Sequence, residues 1–511
     1  MTELFRRSAT ELVRDLASGA CSAREAVDAC IARIEAVNPG LNAVVVKRYE
    51  LARAEAQAAD ARRARGESLP PLHGLPVTVK DSLDLAGFPS TVGLKHRAQS
   101  RAERDEAHVA RLRAAGAIVL GKTNVSQCLL YTEADNPLYG RTVNPWNAAR
   151  TCGGSSGGEG AIVAAGGSPL GLGTDIGGSV RLPAAFCGVA GLKPTSGRAD
   201  DLGGHSVPLG QRAIPSQVGV LARRARDVAL GFGVITATGP DLPPRPDPAG
   251  VDVRALRIGF YLDDGSFTPA PAVQRAVRMA ADTLRAAGAQ VTEWAPPDAR
   301  AGLAAFGGIL TADGGAGLRR ALAGDTPTPQ LRQLLAATRI PVALVPALRA
   351  LLRALGQTGM AQNLEAFGPR TADRYWQLVE WQIRYRRRFA AAMDAAGPLD
   401  LLLAPACSLP AFTHGATRDL LTAGAYAALY NLLGYPAGVV PVTRVHADEE
   451  SARKPGADLI QKLARRVEQG SRGLPVGVQI VGRPWREDLV LAAMQALDER
   501  LGEVATPVDP A

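Results

Sequence analysis

Glycine crowds one stretch of this chain, and the crowding restricts what that stretch can become. Gly153-Gly154-Ser155-Ser156-Gly157-Gly158 opens it, a short apolar segment follows, and Asp175-Ile176-Gly177-Gly178-Ser179-Val180-Arg181 closes it. Glycine lets backbone approach its neighbours closely and adopts dihedrals that a Cβ forbids. Residues 157–167 therefore read as a helix packed very close to what surrounds it. Serines set among such glycines read as hydroxyl chemistry beside exposed backbone N–H groups. Upstream, Leu75-Pro76-Val77-Thr78-Val79-Lys80-Asp81 is a short strand pattern that delivers a lysine at its end. The three pieces together suggest a serine hydrolase with lysine, rather than histidine, as its base.

Bulk properties permit that reading. A chain of 511 residues, 46% hydrophobic, can bury a large α/β core in one unit or two. The formal charge of +9 comes mainly from arginine. No basic run with interleaved aromatics occurs, which argues against a nucleic-acid partner. Six scattered cysteines form no CxxC pair, so the expectation is reduced thiols in a cytoplasmic protein, with no zinc site. The N-terminus, Met1-Thr-Glu-Leu-Phe-Arg-Arg, has no apolar h-region and predicts no secretory signal. No stretch approaches the roughly 18 uninterrupted apolar residues of a spanning helix.

Residues 1–65 read as helices. Ser8-Ala-Thr-Glu11 and Ser22-Ala-Arg-Glu25 both fit capping boxes ahead of apolar residues at helical spacing. From 72 the period changes: residues 76–80 and 117–120 are β-type runs around a helix at about 105–115, which suggests a sheet covered by helices. Residues 240–248 are proline-rich, placing a soft internal boundary near 245, and residues 256–261 open a new strand. Residues 447–472 are charged and predict a helical surface excursion, after which 475–481 return as a strand before a final helix. The domain reading is an N-terminal helical region, 1–70, packing on a catalytic unit of 71–511.

Two patterns are decoys. Gly116-Ala-Ile-Val-Leu-Gly121-Lys122-Thr123 matches a P-loop, but its middle residues read as a buried strand rather than an exposed phosphate cradle. Gly153-Gly-Ser155-Ser-Gly157 matches the G-x-S-x-G nucleophile elbow, which needs a hydrophobic strand before it and a late histidine. Residues 146–152 are not a strand by pattern, and His414 and His446 sit in polar, loop-like segments.

The run from Gly153 to Arg198, with Lys80 in GLPVTVKD and Ser179 in DIGGS, resembles the amidase signature family almost throughout. Within the family the likeness is to the fatty acid amide hydrolases, supported by residues 136–140 and 144–146, by Glu159, and by residues 430–441. Amidotransferase subunits of the family usually carry a small residue where Glu159 stands and lack a charged excursion like 447–472. The resemblance implies an α/β fold with a large mixed sheet flanked by helices on both faces. It also implies a catalytic triad of Lys80, Ser155 preceded by a cis peptide bond, and Ser179. No cofactor or metal is implied, and a homodimer is expected only by this analogy.

The chemistry follows from the residue types. A serine hydroxyl is a weak nucleophile until a base takes its proton. Lysine qualifies when its amine is neutral, which burial favours. By resemblance Lys80 draws a proton through Ser155 from Ser179, and the path reversed protonates the leaving amine. The acyl carbonyl is expected against the N–H groups of Ile176, Gly177, Gly178 and Ser179, with Leu129 lining the acyl pocket and Tyr131 contributing backbone near the leaving group. Ser155 and Ser156 could instead cap the helix that follows. Asp175 and Arg181 are expected to brace the loop by an ion pair.

The reaction expected is hydrolysis of a small-molecule amide, with a fatty or aryl acyl group, to acid and amine through an acyl-enzyme. A broad aryl-amide, ester or carbamate hydrolase is one alternative, and the amidase subunit of a tRNA-dependent amidotransferase another. Residues 331–355 are apolar, carry arginines at 332, 339, 349 and 353, and contain prolines that predict two short helices within a 325–370 cap. Apolar faces rimmed by arginine suit an anionic membrane surface. A buried helix pair or a dimer contact would have the same pattern. The family's mammalian members have an N-terminal transmembrane helix that this chain does not show, so the contact expected is peripheral.

Overall fold

Both capping boxes form. In the computed structural model, which describes residues 3–502 and 507 apart from 202–204, 206–209, 237–242, 245–246, 367, 451–452 and 455, Ser8 Oγ accepts from the Glu11 N–H and Ser22 Oγ from the Glu25 N–H. Each glutamate accepts in return from its serine's N–H, opening helices Ala9–Ser18 and Ala23–Leu41. The second helix ends where Asn42 turns left-handed at φ 54°, a conformation asparagine tolerates better than most residues. Strand Val44–Lys47 follows, ahead of helix Tyr49–Ala64. An all-helical reading of 1–65 misses that strand. Three valines and a lysine show too little alternation to stand out between two helical patterns.

Val44–Lys47 is an edge strand of the main sheet. Eleven strands among the described residues follow the order Val44–Lys47, Ile118–Thr123, Pro76–Lys80, Leu170–Asp175, Gln217–Ala222, Ala190–Lys193, Ala437–Arg444, Pro475–Gly482, Leu401–Pro405, Arg257–Phe260 and Gln290–Glu293. The sheet is mixed and carries strands from both sides of position 245, which itself lies outside the described residues. Helices flank it, and one buried apolar cluster draws on residues from Ala9 to Leu497. Pro76–Lys80 runs parallel to both its neighbours, so Lys80 and Asp175 emerge at the same edge.

The P-loop look-alike is part of this sheet. Gly121, Lys122 and Thr123 finish strand Ile118–Thr123, and a Cβ at 121 would strike the Val46 carbonyl of the edge strand. Lys122 is buried, with Nζ donating to the Pro89 carbonyl at 2.5 Å and to Ser90 Oγ at 2.7 Å. Residues 147–151 depart from expectation: Asn147–Thr151 is a strand, paired with Val143–Asn144 in a two-stranded ribbon outside the main sheet.

The apolar stretch 331–355 divides at its prolines into helices Pro329–Ala337 and Val345–Ala354, with a bend of 85° between the two arms. Among the described residues no single helix is long and apolar enough to cross a membrane. The charged excursion contains helix Leu459–Glu468, and it docks rather than trails. Asp458 Oδ2 accepts from Thr358 Oγ1 and from the Gly359 N–H, both at 2.8 Å.

Helix Gly157–Ala164 lies against four strands of the first half of the sheet, and its glycines make that possible. A Cβ at Gly158 would come within 2.5 Å of the Asn124 nitrogen, 2.7 Å of the Asn124 oxygen and 2.8 Å of the Ala43 oxygen, all rigid backbone. Gly158→Ala is expected to cost about 1–3 kcal/mol by overpacking. The measurement is a lowered urea midpoint at unchanged m-value.

Candidate active site

Strand Pro76–Lys80 projects its lysine into the protein interior. Lys80 is fully buried, and its Nζ donates to Ser155 Oγ at 2.7 Å and to Thr174 Oγ1 at 2.8 Å, with the Thr174 carbonyl at 3.3 Å. Burial pushes the ammonium down from the ordinary lysine range to about 7, against the pull of Asp201, Asp175, Glu159 and Asp81. Ser155 is buried as well, and the Gly154–Ser155 peptide bond is cis. Gly154 has no room for a side chain, because a Cβ there would meet the Glu133 nitrogen at 2.5 Å and the Tyr131 oxygen at 3.0 Å.

Ser156 does not cap the helix it precedes. Its Oγ donates to the Thr174 carbonyl and accepts from the Thr174 N–H, both at 3.3 Å, while its own N–H donates to the Ser179 carbonyl at 3.1 Å. Ser156 thus stitches the first glycine run to the second. Thr174 holds Lys80 and Ser156 at once. Its position, one residue before Asp175 in a run already marked by glycine and serine, was the available signal.

The turn after Asp175 is built on a buried ion pair, as expected. Arg181 Nη2 donates to Asp175 Oδ1 and Arg181 Nε to Oδ2, each at 3.0 Å, with both side chains wholly buried. Burial alone would raise the Asp175 carboxyl, but the Arg181 guanidinium and an Asn431 hydrogen bond hold it far below the usual range. Oδ1 also accepts from the Gly178 N–H at 2.7 Å and Oδ2 from the Val180 N–H at 3.1 Å. The Gly178 amide donates to the brace, while Ile176, Gly177 and Ser179 line the adjoining cavity.

That cavity, of about 210 Å³, is walled by Leu129, Phe306, Leu310 and Leu318, and the partly exposed Ser179 lies on it. A second cavity of about 490 Å³ adjoins it, and Tyr131, Leu334, Asn363 and Leu421 line both. Leu129 and Tyr131 have left-handed backbones at φ 59° and 74°, an uncommon state for such residues that favours sites where a loop is held by its surroundings. The Tyr131 hydroxyl donates to the Gln330 carbonyl at 2.7 Å.

Two carboxylates near the site had no local signal for their roles. Glu159 is buried beneath Lys80's strand, with Oε2 accepting from Thr78 Oγ1 at 2.7 Å and Oε1 from Thr123 Oγ1 at 2.8 Å. Burial pushes it up to about 8 despite those bonds. Glu133, behind Gly154, binds His414 Nδ1 at 2.9 Å and accepts from the Gly415 N–H at 3.0 Å.

The Amidase family profile matches residues 25–491. Fatty-acid amide hydrolase 1 of Sus scrofa is 36% identical over 509 residues, covering 97% of this chain and 86% of that protein. One subunit of the glutamyl-tRNA(Gln) amidotransferase of Roseiflexus castenholzii is 33% identical over 520 residues, covering 96% of this chain and 95% of its own. A solved fatty acid amide hydrolase superposes with a TM-score of 0.83 at 24% identity, over 98% of this chain and 86% of that one, a likeness of fold.

Asp175→Ala leaves the Arg181 guanidinium buried without its partner, for which about 3–5 kcal/mol of destabilisation is expected. Because the Asp175 carboxyl lies below its unfolded value, its contribution is fully present above that value, about 3.9, and is lost progressively as pH falls from there toward the far lower folded value. Chemical denaturation of wild type and variant at pH 7 and in acid reads both effects, as a difference that shrinks on acidification.

Proposed function

The chain belongs to the amidase family and is a hydrolase of amide C–N bonds, and on that premise we propose that Ser179 attacks the carbonyl of an amide with a hydrophobic, fatty or aryl, acyl group. The observation that carries the proposal is the buried contact of 2.7 Å between Lys80 Nζ and Ser155 Oγ beside a serine that lies on an apolar cavity.

With its pKa brought down to about 7, Lys80 is substantially neutral near neutral pH. The neutral amine takes the Ser155 hydroxyl proton as Ser155 takes that of Ser179. Ser179 Oγ then bonds to the acyl carbon, and the carbonyl oxygen becomes an oxyanion. The amides of Ile176, Gly177 and Ser179 supply its hydrogen bonds; losing one such donor typically slows a reaction by about 10²–10³. The proton returns through Ser155 to the amine nitrogen, the C–N bond breaks, and an acyl-enzyme remains. Water, deprotonated along the same path, releases the acid and restores Ser179.

Likeness to the amidotransferase protein supports a second reading, action only within a larger assembly. Hydrolysis of an acyl p-nitroanilide by the lone chain separates the two. The first reading expects activity and fluorophosphonate labelling, both lost in Ser179→Ala, and kcat/KM that rises with pH as Lys80 loses its proton, with a midpoint near 7. No hydrolysis by the lone chain, or a pH-independent rate from 6 to 8, would sink it.

We further place the protein peripherally on anionic membrane. Val342, Leu344, Leu351 and Leu355 are all more than half exposed on or beside the bent helix pair, with exposed Arg339 and Arg353 beside them. Apolar area plus lipid charge sets such binding. Co-sedimentation with anionic vesicles is expected, weakened by Leu344→Glu with Leu351→Glu, and absent with neutral vesicles.

A further inference from the structure

The two cavities meet at four residues, Tyr131, Leu334, Asn363 and Leu421. Tyr131 lines both, and its hydroxyl donates to the Gln330 carbonyl at 2.7 Å. Gln330 is in the first turn of helix Pro329–Ala337, and Leu334, one turn on, also lines both cavities. The junction is thus a phenol pinned across to a helical turn. On the catalytic side the Tyr131 carbonyl lies close to Gly154, next to the proposed relay serine. On the far side the larger cavity is walled mainly by hydrocarbon, including Ile340, Val345, Leu348 and Leu352.

These observations select an occupant. Gln333, Asn363, Arg370, Arg418 and Asp419 also line the larger cavity, but most of the wall is leucine, isoleucine, valine and other apolar surface, which suits an alkyl chain. An acyl chain attached at Ser179 first meets the smaller cavity, and one that extends further passes the junction where Tyr131 stands with Leu334, Asn363 and Leu421. A chain that ends short leaves the hydrogen bond in place, whereas a longer one must break it and turn the ring aside.

We propose that Tyr131 determines acyl-chain length specificity, its phenol acting as the partition between a proximal cavity at Ser179 and a distal apolar cavity beneath the bent helix pair. This rests on the hydrophobic-acyl amidase reading. The partition is set by chemistry as well as bulk, because the bond to Gln330 fixes where the ring stands. Removing the hydroxyl loosens the partition, and removing the ring abolishes it.

The experiment compares kcat/KM across p-nitroanilides from butanoyl to hexadecanoyl in wild type, Tyr131→Phe and Tyr131→Ala. The readout is each enzyme's ratio of long-chain to short-chain kcat/KM, so a uniform loss of activity does not move it. Tyr131→Phe is expected to raise the ratio about 3- to 10-fold, the worth of one hydrogen bond. Tyr131→Ala should raise it at least about tenfold, in the range that pocket shape commands. Leu352→Trp, which fills the distal cavity without touching the proximal one, should lower the ratio and reverse the gain when added to Tyr131→Ala. Parallel chain-length profiles in wild type and both Tyr131 variants would overturn the inference. So would a gain that follows the length of the amine in a matching set of N-alkyl amides. Should wild type hydrolyse no amide of any length, the underlying amidase reading falls and takes this inference with it.

Discussion

Asp175 and Arg181 meet in a region that excludes water, and much of the site hangs from that meeting. The carboxylate collects the Gly178 and Val180 amides and so curls the chain into the turn that carries Ser179. The guanidinium reaches in other directions, donating to the Ala427 carbonyl at 2.8 Å and Gln479 Oε1 at 2.6 Å. Helix Ala425–Leu433 and strand Pro475–Gly482 are thereby tied to a turn some 250–300 residues earlier in sequence. A buried ion pair is a poor source of net stability, since desolvation offsets most of the attraction. What it secures here is position. Thr174, the residue before Asp175, is fixed with it, and Thr174 in turn holds Lys80.

The same exclusion of water sets the protonation of the site. Lys80 and Glu159 are ionisable groups with no exposure, and burial drives them in opposite directions, the lysine down to about 7 and the glutamate up to about 8. Each is moved toward its neutral form, the one low dielectric tolerates. Threonine hydroxyls from Thr78 and Thr123 satisfy the carboxyl without supplying charge. An amine able to accept a proton is therefore a consequence of packing, not of any partner that withdraws one.

Legibility followed the range of the interactions. Lys80, Ser155 and Ser179 stood out in the sequence because each sits in a short run whose glycines or strand pattern is local. The capping boxes were readable for the same reason. The engagement of the Gly178 N–H was not legible, since only the placement of Asp175 shows it. Strand Val44–Lys47 was invisible because its identity comes from pairing with Ile118–Thr123 across the sheet. Glu133 and His414 lie 281 residues apart, and no pattern within either segment announces their contact. The Tyr131 side chain belongs to the same class, since its importance lies in what Gln330 does 199 residues later.

Helix Pro329–Ala337 is linked to the segment 127–133 at several points in succession. Gln127 Nε2 donates to the Thr326 carbonyl at 3.0 Å and its Oε1 accepts from the Thr328 N–H at 2.8 Å, ahead of the Tyr131–Gln330 bond. Hydrogen bonds tolerate little stretching before they are lost. Mechanically, then, helix and loop are one part, like a handle and its latch. A tilt of the helix therefore pulls on the loop beside Ser155 through these bonds. The helix at the cavity junction and the loop packed against Gly154 are held by one set of links.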